Sequence, residues 1–515
     1  MLWTFIGVAG YLVVLLGLGL AASRRTRGLD DYYAGGKRLG YWAVAFSARA
    51  TGTSAWLLLG LTGMGAAVGV RALWVVLGEI LGVATAWLVM AGRFKRLTDR
   101  YDSLTVPDYL ASRFGAAGGR GLRAAAAGAL VVFVTIYVSA QIDATGTAFE
   151  TFLGVDYHVG SVVGFAVVMA YSVGGGFLAV VWSDVFQGVL MVVGLVALPL
   201  FAWTSLDGPL GAQLAAIDPS LLRLSGAEGW TTEVVVGTAG LVLIGLGFLG
   251  SPQIFVRFLA LRSAEEIPRG AGVALAWSGL AGGGAVLVGM VGRVVLDVPG
   301  AAMIGPGAVL GNGGQDVLPR LTSATFPAFV VGLYIAVVLS AIMSTVDSLL
   351  VLASSAAVRD GYQKLWRPHL PDAALVPYGK RATLALALVA LAIATGVAWV
   401  SETRTIFWFA IFGWSGIAAT FCPTMVLSLF WRGLTSRGAV AAMATGFVGV
   451  PLFEFGVPHW VGGLGPLVTA LGALPPAFAL GLTAGVLVSV SDRGGRATVT
   501  QATEALDAAG GTPPA

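Results

Sequence analysis

Of the chain's 515 residues, 57% are hydrophobic and only 11% charged, and the mean hydropathy is +0.86. Soluble domains carry about 25% charged residues, so this chain lacks the polar surface that a water-soluble fold of its length requires. The net charge of +4 comes without a basic stripe interleaved with aromatics, which argues against a nucleic-acid partner.

The first apolar run, 2–22, has no cationic residue before it; Arg24, Arg25 and Arg27 follow it instead. That order is the reverse of a secretory leader, so the run reads as a retained helix. Further spans are predicted at 41–66, 71–92, 124–152, 158–175, 178–202, 232–256, 271–297, 324–357, 381–400, 405–431, 438–456 and 470–490, thirteen in all. Most are about 20 residues long, the length of a membrane-crossing helix rather than of a barrel strand. The 74 glycines suit close helix packing in lipid. The span 324–357 is long enough to begin outside the bilayer, and the loops 203–231 and 298–323 can hold short helices or a lid. The single cysteine, Cys422, falls in an apolar run; it excludes an internal disulfide and reads as a small core residue.

Charge placement orients this map. With the N-terminus outside, 24 of the 30 Lys and Arg residues fall on the cytoplasmic side, four fall outside, and Arg49 and Arg293 lie within spans. A miscounted helix would invert the bias downstream, and no inversion occurs. The expectation is one transmembrane domain over 1–491, with core repeats near 41–202 and 232–431, and a disordered cytoplasmic tail over 492–515.

Two spans are interrupted by small and polar residues. The first break runs from Ser47 to Trp56, and the second from Gly245 to Gln253. A broken helix frees backbone groups, and lipid tolerates them only where they line a cavity or are buried in protein. Freed carbonyls are hard oxygen ligands for a cation, and half-helix N-termini favour anionic groups. Spans two to six and seven to eleven form two sets of five, each opening with a break, which is the pattern of an inverted-repeat transporter. Gly245, Gly247 and Gly250 also spell a dinucleotide fingerprint, but inside a membrane span they lack its strand–turn–helix context.

The span 324–357 carries Ser344, Thr345, Asp347 and Ser348 in one run. Adjacent hydroxyls there read either as helix-packing groups or as cation ligands. Acidic residues at membrane depth are costly, and Glu79, Asp143, Asp184 and Asp347 are candidates for function or for pairing with a buried Arg. Arg49 can pair with one of them or snorkel towards the cytoplasm. The three histidines lie in loops or at span ends, so no intramembrane histidine relay is expected. No nucleophile–base pair suggests an enzyme.

At this point the residues carry a family likeness. The chain resembles the sodium/solute symporters, and within them the bacterial sodium/proline branch. The likeness runs from Asp31-Tyr32-Tyr33, Gly35-Gly36 and Leu39-Gly40 through Ser54 to Leu58 and Leu104 to Tyr109 with Arg113-Phe114. It continues through Gly174 to Val180, Trp182-Ser183-Asp184, Pro252 to Phe258, and Met343-Ser344-Thr345 with Asp347-Ser348. It implies an all-α, LeuT-like five-plus-five inverted repeat with one extra helix before it and two after. By motif, sodium would be held by the carbonyls of Ala50, Thr53 and Ala341 and the hydroxyls of Ser344 and Thr345, with Asp184 near the ion pathway, where a second sodium could bind. Solute contacts would fall on Ser54, Ala55, Trp56, Tyr137, Ile244, Phe248 and Pro252. Two departures stand out: Ile244 replaces an aromatic of the proline branch, and Gly52 replaces an acid, so that sodium binding would lean on Asp347.

The expected function is sodium-coupled import of a small organic solute, proline or a related amino acid first, across a bacterial inner membrane. A monocarboxylate or sugar as solute, proton coupling through Asp143, Asp184 or Asp347, and a transport-inactive receptor or channel remain alternatives.

Overall fold

The computed structural model describes residues 2–23, 35–172, 177–371, 374–401, 403–496 and 505–506. The motifs Asp31–Tyr33 and Gly174–Gly176 and most of the predicted tail lie outside the described residues. Among the described residues all regular structure is helical, and the sole strand-like contact is one bridge between Leu39 and Leu261. A chain this apolar has no other open-ended way to satisfy its backbone in lipid.

The helices are α1 (Leu2–Ser23), α2 (Tyr41–Ala55), α3 (Leu73–Thr85), α4 (Val106–Leu153), α5 (Tyr157–Ser172) and α6 (Phe177–Trp203). After them come α7 (Thr232–Leu243), α8 (Pro252–Ala260), α9 (Ile267–Val295) and α10 (Ala328–Ser355). The last four are α11 (Leu375–Val400), α12 (Ile406–Phe430), α13 (Ser436–Pro451) and α14 (Leu474–Ser491). Threonine starts several of them: Thr105, Thr231, Thr405 and Thr435 each accept a backbone N–H of the first turn through the side-chain oxygen.

Ten helical runs among the described residues are long and apolar enough to cross a membrane, or eleven when α7 and α8, bent by 41°, count as one broken span. The run Tyr41–Arg100 covers two of the predicted spans. It turns at Gly69, whose φ of 57° suits glycine, and a Cβ there would stand 2.0 Å from the carbonyl of Leu221. The predicted span 324–357 is divided: a short helix, Val317–Thr325, ends before Pro327, and α10 begins after it. The loops 203–231 and 298–323 hold the short helices Leu210–Ile217, Pro219–Leu222 and Asn312–Gly314.

The second half-set opens at the break Ile244–Ser251, whose backbone comes close to that of α3. A Cβ on Gly78 would meet the Val242 carbonyl at 2.2 Å, and one on Gly245 the Gly78 carbonyl at 2.0 Å. Small residues thus let α2, α3, the second break and α9 close into one unit. Buried and half-buried ion pairs follow the same division. Arg49 of α2 pairs with Glu79 of α3 inside that unit. Outside it, Arg123 of α4 pairs with Asp108 and Asp360, and Arg404 pairs with Asp143. Arg257 of α8 reaches across to Asp184 of α6.

Candidate functional site

The first break has a specific backbone cause. Ser54 adopts φ 45°, ψ −166°, a conformation that only glycine takes without strain, and a wider helical turn, Trp56–Leu61, follows it. Its hydroxyl compensates in part: it accepts from the Tyr137 hydroxyl at 3.1 Å and from the Gln141 side-chain amide at 3.3 Å. Gln141 also accepts the backbone N–H of Ala55 at 3.0 Å. Here glycine and alanine exchange their usual helix ranking. Ser54→Ala keeps the strain and loses the hydrogen bonds, whereas Ser54→Gly removes the strain. Thermal denaturation is expected to place Ser54→Ala below Ser54→Gly by about 1–2 kcal/mol. The ordinary helix order, with Ala above Gly, would refute a strained break.

Opposite this segment lies α10. The Ser344 hydroxyl donates to the Ala50 carbonyl at 3.1 Å and to the Ala341 carbonyl at 3.2 Å. The Thr345 hydroxyl donates to the Thr51 carbonyl at 3.2 Å and to the Ala341 carbonyl at 3.0 Å. The Thr51 hydroxyl in turn donates to the Ser344 carbonyl at 3.2 Å. Ala50, Ala341, Ser344 and Thr345 are all fully buried, so five oxygens from two helices converge in a water-poor interior. They can turn from one another to a small hard cation by rotating two hydroxyls. The carbonyl facing Thr345 belongs to Thr51; that of the expected Thr53 accepts the Trp56 N–H, and the Thr53 hydroxyl donates to the Arg49 carbonyl at 2.7 Å.

The solute positions expected by likeness gather beside the two breaks. Tyr137 and Phe248 both pack against Trp414, with ring centroids 6.4 and 5.0 Å away. The Trp414 indole donates to the Ile244 carbonyl at 3.4 Å. Trp56 meets Phe407 edge-on at 6.1 Å, and Pro252 opens α8. Beside Phe407 a cavity of about 450 Å³ is lined by Met64, Arg71, Glu233, Gln315, Trp408 and Thr469, among others. At the other end, Gln253, Arg257, Ser348 and Val351 border a narrow cavity of about 40 Å³.

Asp184 does not stand alone. Arg257 reaches it at 3.1 Å and also donates to Thr51 at 2.7 Å, Ser348 at 2.6 Å and Ser47 at 3.0 Å. Ser47 in turn donates to Asp184 at 2.5 Å. Arg257, counted by the charge map with the cytoplasmic loops, is 1% exposed. Asp347 accepts the Ser348 N–H at 2.6 Å, and its other oxygen is buried without a partner among the described residues. Asp143 takes Arg404 and the Tyr157 hydroxyl at 2.6 Å, and Arg49 pairs with Glu79 rather than snorkelling. Cys422 packs on the second break, its thiol 3.5 Å from the Gly247 carbonyl.

Two broken helices, a polar cage between the first of them and α10, and cavities on either side define a secondary transporter of the inverted-repeat kind. The family follows from comparison with known proteins. The model of the sodium:solute symporter family matches residues 32–446, and the chain belongs to that family. It is 36% identical over 435 residues to the high-affinity proline transporter PutP of Bacillus subtilis (strain 168), a match spanning 84% of this chain and 88% of that one. It is 31% identical over 452 residues to the sodium/proline symporter of Haemophilus influenzae, covering 87% of each. Among solved structures, the substrate-bound outward-open state of a Na+-coupled sialic acid symporter is similar with a TM-score of 0.74 at 18% identity, covering 95% of this chain and 98% of that one. MHP1, a nucleobase-cation-symport-1 family transporter, gives 0.51 at 13% identity over 93% of this chain and 100% of that one. At these identities the structures establish the fold, which is the LeuT-like inverted repeat.

Proposed function

We propose that this chain imports proline or a closely related amino acid together with sodium, with its N-terminus outside and its C-terminus in the cytoplasm. One observation carries the sodium assignment: the Ser344 and Thr345 hydroxyls lie 3.0–3.2 Å from three carbonyls of α2 and α10, fully buried. Sodium bound there joins the two helices and favours the state in which Ser54, Ala55, Trp56, Tyr137, Ile244, Phe248 and Pro252 can accept the solute. The inward sodium gradient drives the step, and membrane potential adds about 2.3 kcal/mol per charge per 100 mV. Asp347 supplies the negative charge that Gly52 does not. Asp143 and Asp184 both engage a guanidinium, which speaks against either as a proton carrier.

The test is a thermal-stability screen of the purified protein in sodium or choline chloride against amino acids, organic acids and sugars. Hits would then be followed by uptake into proteoliposomes. Proline or a near analogue is expected to raise the melting temperature only with sodium present, and to accumulate only under an inward sodium gradient. Equal stabilisation in choline, or uptake driven by a pH gradient alone, would remove the sodium assignment. Stabilisation by sugars or organic acids alone would remove the amino acid.

A further inference from the structure

We propose that Arg49 and Glu79 form a buried strut that positions the Phe248 ring and thereby sets the solute selectivity of the pocket. The proposal rests on the reading of Phe248 as a pocket wall.

Phe248 closes the short 3-10 turn Ile244–Phe248 inside the second break, where no regular helical ladder fixes its backbone. Its ring orientation must therefore come from side-chain contacts. On one side stands Trp414, at 5.0 Å. On another stands the Arg49 guanidinium, whose carbon lies 5.2 Å from the Phe248 ring centre and 5.2 Å from that of Trp277. A desolvated guanidinium between two aromatic rings holds both by cation–π attraction, provided its own position is fixed. Glu79 fixes it, through a direct hydrogen bond to Arg49 Nη2. Both partners are 1% exposed.

Two details set this pair apart from simple helix glue. Arg49 Nε and Glu79 Oε2 are buried without hydrogen-bond partners among the described residues. A buried pair left incompletely satisfied holds helices together less well than apolar residues of the same volume. Its placement, by contrast, has a use. A Cβ at Gly52 would stand 3.4 Å from Phe248 Cε1 and 3.9 Å from Arg49 Nη1, ordinary contact distances, so the guanidinium and the ring both border the first break at this position. Phe248, Trp414 and Tyr137 then form a run of rings ending at the Ser54 hydroxyl. A shift of the guanidinium is felt at the pocket without any contact between Arg49 and the solute, which makes Arg49 and Glu79 positioning residues.

The test measures the KM for the best solute of the screen and for one larger analogue, together with the sodium half-saturation, in proteoliposomes. The variants are Glu79→Gln, Arg49→Lys, Phe248→Leu and the double variant Glu79→Gln/Phe248→Leu. Glu79→Gln is expected to raise the solute KM about three- to tenfold and to narrow the preference over the larger analogue, at unchanged sodium half-saturation. Added to Phe248→Leu, it should do little more, because the ring it positions is gone. A fall in maximal rate with KM and preference unchanged, or full additivity in the double variant, would overturn the strut. Phe248→Leu without effect on any solute KM would instead remove the pocket assignment itself. Should Arg49→Lys fail to reach the membrane, Glu79→Gln, which keeps size and shape, decides the matter.

Discussion

Replacing Ser344 or Thr345 with alanine is expected to raise the sodium concentration for half-maximal uptake about tenfold or more, with solute saturating. Each substitution deletes one of the two α10 hydroxyls that face the α2 carbonyls, and a hydrogen-bonding contact to a charge is worth about 1.5–3 kcal/mol, or about 10- to 150-fold. Thr345→Ser keeps the oxygen and should stay within about threefold of the parent. Asp347→Asn should move the sodium requirement in the same direction, because Gly52 offers no acid and Asp347 is the unpaired carboxylate on that stretch of α10. The measurement is initial uptake titrated with sodium at constant ionic strength. An unchanged half-saturation in both alanine variants would show that sodium does not sit between α2 and α10.

The second large effect is expected at Arg257. Arg257→Ala strands the Asp184 carboxylate, fully buried, beside Ser47 and Thr51 with no cation. Removing one member of a buried pair costs about 3–5 kcal/mol, mostly because the other charge is left unpaired. Asp184→Asn should be costly for the same reason, and the double variant Arg257→Gln/Asp184→Asn should recover much of the loss. Arg257→Lys should not rescue, since one ammonium cannot donate to Ser47, Thr51, Asp184 and Ser348 from a single position as the planar fork does. Thermal denaturation in detergent checks all four; additive losses in the double variant would mean that the two charges act independently. Uptake should fall as well, because these contacts tie α8 to α2, α6 and α10 beside the polar cage.

How much of this could be read from the sequence depends on whether the signal was local. The spans and the two breaks were legible because apolar runs and clusters of Gly, Ser and Thr are local patterns. The pairing of Ser344 and Thr345 with the first break came from likeness, and the carbonyl that faces the Thr345 hydroxyl is that of Thr51 rather than of Thr53. The division at Pro327 was not drawn, since the span was read as continuous from 324, although proline removes a backbone donor and disfavours helix in the residue before it. Arg257 was not legible either. Near the end of an apolar run it looks like any loop cation, and only the fold shows Asp184, 73 residues earlier, facing it. For Arg49 the sequence offered pairing with a buried acid as one option but did not single out Glu79, 30 residues away, among the four candidates. Gln141 was missed for want of charge, though it lies one turn beyond Tyr137 on the same helix face, a spacing that could have flagged it.

Cys422 brings a practical benefit. It is the one cysteine in the chain, and its sulfur is sealed against the second break with no exposed surface. The natural protein is thus close to a blank background for thiol chemistry. A fluorophore or spin label on a cysteine introduced at Met64 reports the wide cavity beside Phe407, and one at Val351 the narrow cavity beside Arg257, so spectroscopy of either opening can begin from the unaltered chain.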